Sequence, residues 1–208
     1  MIPMRRTILA MLAATTLLAL AARPAHAGSE GIGEAGVGVA MPVADGGYRQ
    51  DFSTSPALWL GGVYLPGFGS RVLGIELGFE WTRYFDEFEP PNGARTDFSR
   101  YRIQLGGRYF RPLTPQLVGF AHALAGVEIF AWTQKGNLGT VSYEASDEHV
   151  GLAFDLSSGV MYQVGKIALS AQVALPIGVH RQDKHDGSIE INQTSFDLEL
   201  RLTIGTRY

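Results

Sequence analysis

The sequence predicts an all-β chain folded as an eight-stranded antiparallel up-and-down barrel. Three observations predict it: strict two-residue alternation at the C-terminus, seven earlier segments of similar pattern, and connections that alternate between long and short. Over residues 196–208 the even positions are Phe196, Leu198, Leu200, Leu202, Ile204, Thr206 and Tyr208, and the odd ones are Asp197, Glu199, Arg201, Thr203, Gly205 and Arg207. A period of two places these sets on opposite faces of a strand, whereas a helix would mix them around its circumference. A strand buried in apolar surroundings on both faces could not hold Asp197, Glu199 and Arg201 in succession. One face therefore meets an apolar medium and the other a polar one.

The N-terminus reads as a secretory signal peptide. Arg5 and Arg6 precede an apolar run from Ile8 to Ala22, and Ala25-His26-Ala27 supplies a small-x-small cleavage pattern. The run is shorter than the roughly 20 residues of a membrane-spanning helix and stops before Pro24. The expected organisation is a signal peptide over 1–27 and one barrel domain over 28–208. The whole chain carries 17 Lys+Arg against 20 Asp+Glu, and removal of Arg5, Arg6 and Arg23 makes it more acidic. No basic stripe is present for phosphate contacts, so no nucleic-acid partner is expected. The absence of cysteine excludes disulfides, thiol catalysis and cysteine-bound metals. After residue 27 no uncharged apolar stretch approaches the ~18 residues of a helical span. The 26 glycines and 11% aromatic residues suit many short strands.

The first strand is expected over 31–43, with Ala35, Val37, Val39 and Met41 opposite Glu34, Gly36, Gly38 and Ala40. The second, 55–66, is apolar on both faces, so its pattern leaves open whether Trp59, Val63 and Leu65 or Leu58, Leu60 and Tyr64 point outward. The third, 71–85, sets Leu73, Ile75, Leu77, Phe79 and Trp81 against Gly74, Glu76, Gly78, Glu80 and Thr82. In the fourth, 97–110, Tyr101, Ile103, Leu105 and Tyr109 oppose Arg100, Arg102, Gln104 and Arg108. The fifth, 117–133, puts His122, Gly126 and Glu128 inward, which also sends Phe130 and Trp132 inward, a conflict that a β-bulge would relieve. The sixth, 149–164, has Val150, Leu152, Phe154, Leu156, Val160, Tyr162 and Val164 outside and Asp155, Ser157 and Gln163 inside. Gly165-Lys166 makes a two-residue hairpin, and pairing Val164 with Ile167 keeps apolar beside apolar. The seventh, 167–180, continues with Leu169, Ala171, Val173, Leu175, Ile177 and Val179 outward and Ser170, Gln172 and His180 inward. The C-terminal stretch is the eighth.

Connections 44–54, 86–96, 134–148 and 181–194 are long and polar, while 66–70, 111–116 and 165–166 are short. One end of the barrel then carries four loops, and the other carries three turns and both termini, the asymmetry of outer-membrane barrels. Turning the faces inside out would leave the period unchanged, so other features must separate lipid from a protein core. Strands of about fourteen residues, tilted by roughly 45°, rise about 33 Å and cross the ~25 Å apolar band. Tyr109, Tyr162 and Tyr208 fall at the turn end, and Trp81, Phe85, Tyr101 and Phe196 fall near the loop end, the two levels that interfacial aromatics occupy. The opposite faces carry Glu34, Glu76, Glu80, Glu128, Asp155, Asp197 and Glu199 with Arg100, Arg102, Arg108, Arg201 and Arg207. An eight-stranded barrel has room inside for little more than side chains, so these charges are read as an ion-pair network that plugs the lumen without transporting anything. Glu76 and Glu80 are placed to reach Arg102 and Arg108.

On these residues the chain resembles the small outer-membrane β-barrels of the OmpA/OmpX-like type. Its last strand resembles the C-terminal signature read by the barrel assembly machinery, with Tyr208 in place of the commoner Phe and Thr206 interrupting the apolar row. The resemblance implies a bacterial outer-membrane location, periplasmic termini and extracellular long loops. It implies the lipid bilayer, including lipopolysaccharide, and the assembly machinery as partners. No cofactor is expected, and no motif specifies an activity or an extracellular ligand.

Three motifs carry less than they suggest. Residues 31–36 match Gly-x-Gly-x-x-Gly, but no strand precedes them and no helix follows. Residues 183–190 resemble a calcium loop, yet aligning Gly187 with the required glycine puts Gln182 and Lys184 where acids belong. The sequon at Asn192 means little if, as the barrel implies, the source is a bacterium. Neither Gly-x-Ser-x-Gly nor His-Glu-x-x-His occurs. His149 and His180 end adjacent strands at the loop end and, with Glu148, form the one candidate catalytic or metal-binding rim, though hydrogen-bonded filler is the plainer reading. The expectation is a non-enzymatic barrel with a filled polar lumen, acting in envelope structure or in adhesion and recognition through its loops. The alternatives are a narrow channel for small solutes and a lipid-A-modifying enzyme.

Overall fold

The computed structural model describes residues 30–43, 54–66, 72–85, 95–138, 141–182 and 191–208; the signal-peptide reading and the calcium-like stretch at 183–190 lie outside them. Eight strands follow in order: β1 (Glu30–Pro42), β2 (Ser55–Leu65), β3 (Leu73–Phe85), β4 (Arg95–Pro112), β5 (Leu117–Leu138), β6 (Val141–Val164), β7 (Ile167–Gln182) and β8 (Ile191–Arg207). Each pairs antiparallel with its sequence neighbours, and β1 also pairs with β8, so the sheet closes on itself. A pairing row followed from Ile32 through Val63, Glu76, Gly106, Leu124, Asp155 and Pro176 arrives beside Asp197, whose partner on β1 is Pro42. Closure with that displacement tilts the strands by ~35–45°. Even β2, with 11 residues, reaches the length that a tilted strand needs to cross a bilayer.

Local sequence explains the turns. Val164 pairs with Ile167 around Gly165-Lys166, where Gly165 has φ 61°, a left-handed conformation that favours glycine in a two-residue hairpin. Between β4 and β5 the amides of Leu113 and Thr114 donate to the carbonyl of Leu117 at 2.9 and 3.0 Å. The Thr114 hydroxyl in turn accepts from the Leu117 amide at 3.0 Å.

Apolar side chains face outward. Ile75, Val173 and Leu200 are 53%, 45% and 51% exposed, whereas Glu80 and Arg102 are fully buried inside, so the barrel is not a soluble one with an apolar core. The face of β2 that its composition left open is settled the same way: Trp59, Val63 and Leu65 point in, and Leu58, Leu60 and Tyr64 point out.

Two expectations are corrected. The β5 ladder shows no bulge: its register with β4 and with β6 runs unbroken from Val118 through Trp132, and Phe130 faces the interior. The expected loop 134–148 is mostly paired strand, with partners continuing from Gln134 and Ala145 to Leu138 and Val141. Above the lipid neither face needs to be apolar, and exposed pairs such as Lys135 with Glu144 at 3.2 Å give a ladder that apolar periodicity cannot reveal. The same reasoning covers the extensions of β4 back to Arg95, β7 on to Gln182 and β8 back to Ile191.

Leu200→Arg places a cation on the outward face near the middle of β8 and is expected to lower stability in lipid vesicles by about 2–4 kcal/mol. Urea unfolding followed by tryptophan fluorescence measures it, and an unchanged midpoint would contradict an outward Leu200 in hydrocarbon.

Candidate functional site

The inward faces of the strands converge on a chain of charges along the lumen. Nearest the turn end, the Arg108 guanidinium from β4 donates to both oxygens of Glu76 on β3, at 2.8 and 2.5 Å, and to Glu34 on β1 at 2.9 Å. His122 on β5 bridges this group to the next, with Nδ1 3.1 Å from Glu76 and Nε2 3.3 Å from Asp155 on β6. Arg201 on β8 then holds Asp155 at 2.6 Å, Glu80 at 2.7 Å and Glu199 at 2.8 Å. Towards the loop end, Glu80 also accepts from Arg100 at 3.0 Å and Arg102 at 3.4 Å. Arg102 is paired with Glu128, and Arg100 with Asp197. The Tyr84 hydroxyl completes the chain by donating to Asp197 at 2.7 Å.

All eleven charged residues from Glu34 to Arg201 expected in the lumen are thus buried and in contact there. Arg207 is not among them: it pairs with Glu30 at the turn-end rim, where both side chains keep contact with solvent. The sequence reading missed His122 as the link between the two halves, although its inward parity was legible. It also missed the aromatic rings that cover the guanidinium faces. Arg201 lies 4.6 Å from the Trp59 ring, Arg108 4.8 Å from Phe120, and Arg100 5.1 Å from Tyr84. Each of these guanidiniums gives its edges to carboxylates and a face to an aromatic ring, which accommodates cation and apolar neighbour together. Trp59 gains its place because Gly78 and Gly61 lie beneath the ring; a Cβ at Gly78 would collide with it.

The lumen is polar only along its middle. At the turn end Ile32, Val63, Leu65, Phe110, Phe120, Met161 and Ala168 pack into one buried apolar cluster. At the loop end the rings of Tyr84, Phe98 and Phe130 meet at centroid distances of 5.7 and 6.5 Å. The network therefore lies between an apolar layer and an aromatic one.

Among the aromatics expected at the interfaces, Tyr109, Tyr162, Phe196 and Tyr208 are exposed on the outer wall, Trp81 and Tyr101 are half-buried there, and the side chain of Phe85 lies outside the described residues. At the rim, His180 is opposite Gly151 and His149 opposite Phe130, so the register keeps the two histidines diagonal. The His180 side chain is also outside the described residues. Among the described residues no three His, Asp or Glu side chains are arranged to hold a metal ion.

No family model matches the chain, and no curated protein matches it. Solved structures do. Ail, the attachment invasion locus protein of Yersinia pestis, in complex with the heparin analogue sucrose octasulfate, aligns with 88% of this chain and 100% of its own at a TM-score of 0.56 and 16% identity. The fold is that of the small outer-membrane β-barrels. A major outer membrane protein from Thermus thermophilus aligns with 88% of this chain and 100% of its own at a TM-score of 0.55 and 12% identity. At these identities the likeness is one of fold.

Glu80 contacts Arg100, Arg102 and Arg201, three of the four lumen arginines, so Glu80→Gln removes the charged partner from three buried ion pairs at once and is expected to cost about 3–5 kcal/mol. The urea midpoint in vesicles tests this; Glu144→Gln, in the exposed pair with Lys135, is expected to change it by less than about 1 kcal/mol.

Proposed function

We infer that the protein is a non-enzymatic integral outer-membrane barrel whose lumen is a structural plug and whose activity lies at its loop end, in surface recognition or adhesion. The observation that carries this reading is the filled lumen: an apolar cluster closes the turn end, and the charges above it are spent on one another. In this reading the termini face the periplasm, the loops face outward, and residues 1–27 are a cleaved export signal. The last strand, ending at Tyr208, delivers the chain to the barrel assembly machinery. The bilayer, with lipopolysaccharide in its outer leaflet, supplies the medium for the outward Leu, Ile and Val side chains. A barrel of the same fold, Ail, binds a heparin analogue in its solved complex, which gives precedent for an extracellular ligand on such a scaffold.

Planar-bilayer recording separates this reading from a channel. The purified protein is expected to give no stable single-channel steps, and reproducible steps from the unaltered chain would make it a conduit instead. Deleting residues 183–190 is expected to reduce binding of expressing cells to immobilised sulfated glycans or host-cell surfaces while leaving the barrel's heat-shifted electrophoretic migration intact. If that deletion and a deletion of 86–94 both leave surface binding unchanged, recognition through these loops is refuted. An altered acyl pattern of lipid A in expressing cells would point to the enzyme.

A further inference from the structure

The outer wall is not uniformly convex. A concavity of about 760 Å³ crosses it from β8 over β1, β2 and β3 to β4. Two neighbouring pairing rows build it. One runs Ile204, Ala35, Leu60 and Phe79; the other runs Leu202, Val37, Leu58, Trp81 and Tyr101. Trp81 and Tyr101 stand at its loop-side end, and Ala35, the smallest outward side chain of either row, lies in its floor. Phe79 faces out yet is only 6% exposed, so this part of the wall is recessed.

We propose that this groove holds one acyl chain of an outer-leaflet lipopolysaccharide, with a phosphate of the same molecule against Arg83. The inference rests on the outer-membrane reading above. Four inter-strand gaps of ~4.8 Å make the groove about 19 Å long, close to the ~15 Å depth of one leaflet. Because the pairing rows of a tilted barrel are oblique to its axis, the groove climbs from the bilayer centre at β8 to the loop-side interface at β4. A tail descending from the loop-side headgroups would follow that path. An apolar hollow in hydrocarbon excludes water, and a lipid tail is the molecule at hand to fill it.

The headgroup level supplies the second half of the site. Arg83 lies two residues beyond Trp81 on the same outward face, with its guanidinium 3.1 Å from Asp97 and about 40% of its side chain exposed. The guanidinium is oriented by Asp97, and its solvent-facing part stands at the headgroup level, where a phosphate oxygen would meet it in a charge-assisted contact. Apolar groove, aromatic shoulder and cation thus succeed one another in the order of a lipid's tail, interface and phosphate.

Native mass spectrometry of the full-length protein, extracted from outer membranes in mild detergent, tests the assignment. The unaltered protein is expected to retain one lipopolysaccharide molecule. Ala35→Phe, which fills the groove, and Arg83→Gln, which removes the cation, are each expected to reduce the retained fraction about tenfold. Leu156→Phe, on the outward face of β6 across the barrel from the groove, is expected to leave it unchanged. Should Ala35→Phe fail to fold, judged by loss of heat-shifted migration, Val37→Trp narrows the same groove and is read the same way. Equal retention by the unaltered and groove-filled proteins, retention of phospholipid alone, or a groove-dependent dimer mass would each overturn the proposal. Recovery of the protein outside the outer-membrane fraction would overturn the location itself, whereas correct fractionation with unchanged lipid retention removes only the groove.

Discussion

Hydrocarbon offers no hydrogen bonds, so every amide and carbonyl that enters it must find a partner within the protein. For a sheet this means that no edge can remain, and the β1–β8 ladder is where that requirement is met. Its last contacts, at the turn end, are reciprocal: the Gly31 amide donates to the Tyr208 carbonyl and the Tyr208 amide to the Gly31 carbonyl, both at 3.0 Å. Closure with eight tilted strands fixes the diameter, and the diameter fixes an interior with room for side chains and little else. The contents of the lumen are a consequence of the closed backbone before they are a feature of their own.

In water, hydrophobicity tells a chain which face to bury. In a bilayer it loses that power, because leucine is as well placed against lipid as against another leucine. Charge retains it: a cation at the bilayer midplane costs about 2–4 kcal/mol. A one-residue slip of any strand would turn its entire inward set outward. Glu76 and Glu80 on β3, Arg100, Arg102 and Arg108 on β4, and Glu199 and Arg201 on β8 therefore act as register marks. Their pairing need not exceed an apolar core in stability, since buried ion pairs often do no better than well-packed hydrophobic residues. What the network supplies is the difference between the correct register and every neighbouring one.

That asymmetry also explains which parts of the architecture could be read from composition. Strands β3, β4 and β8 alternate charge with aliphatic side chains, and the structure places them as the alternation requires. β2 carries no charge, and Trp59 on one face looks the same as Leu58 on the other to any hydropathy pattern; only the neighbouring glycines and the Arg201 guanidinium show that the indole belongs inside. Phe130 and Trp132 look misplaced by parity only if the lumen is uniformly polar. The ring cluster of Tyr84, Phe98 and Phe130 shows that the interior becomes apolar again towards its ends. The long β5–β6 ladder escapes a reading by period because its upper part obeys neither constraint: both faces meet water, so no period is imposed on it.

The same reasoning locates the freedom to specialise. Within the bilayer each position is committed, outward ones to hydrocarbon and inward ones to the plug, and little sequence is left to encode a partner. Beyond the last described β6–β7 partners, Gly151 and His180, the β5–β6 ladder continues to Leu138 and Val141. The six pairs from Thr133 with Ser146 to Leu138 with Val141 rise by about 17 Å along the strand. A paired ladder costs a binding partner less ordering entropy than a loose loop of equal length. A ladder rooted in a barrel whose interior is locked by ion pairs stands at a set angle to the wall as far as Leu138 and Val141. The buried network thereby holds in place the wall on which the exposed ladder stands.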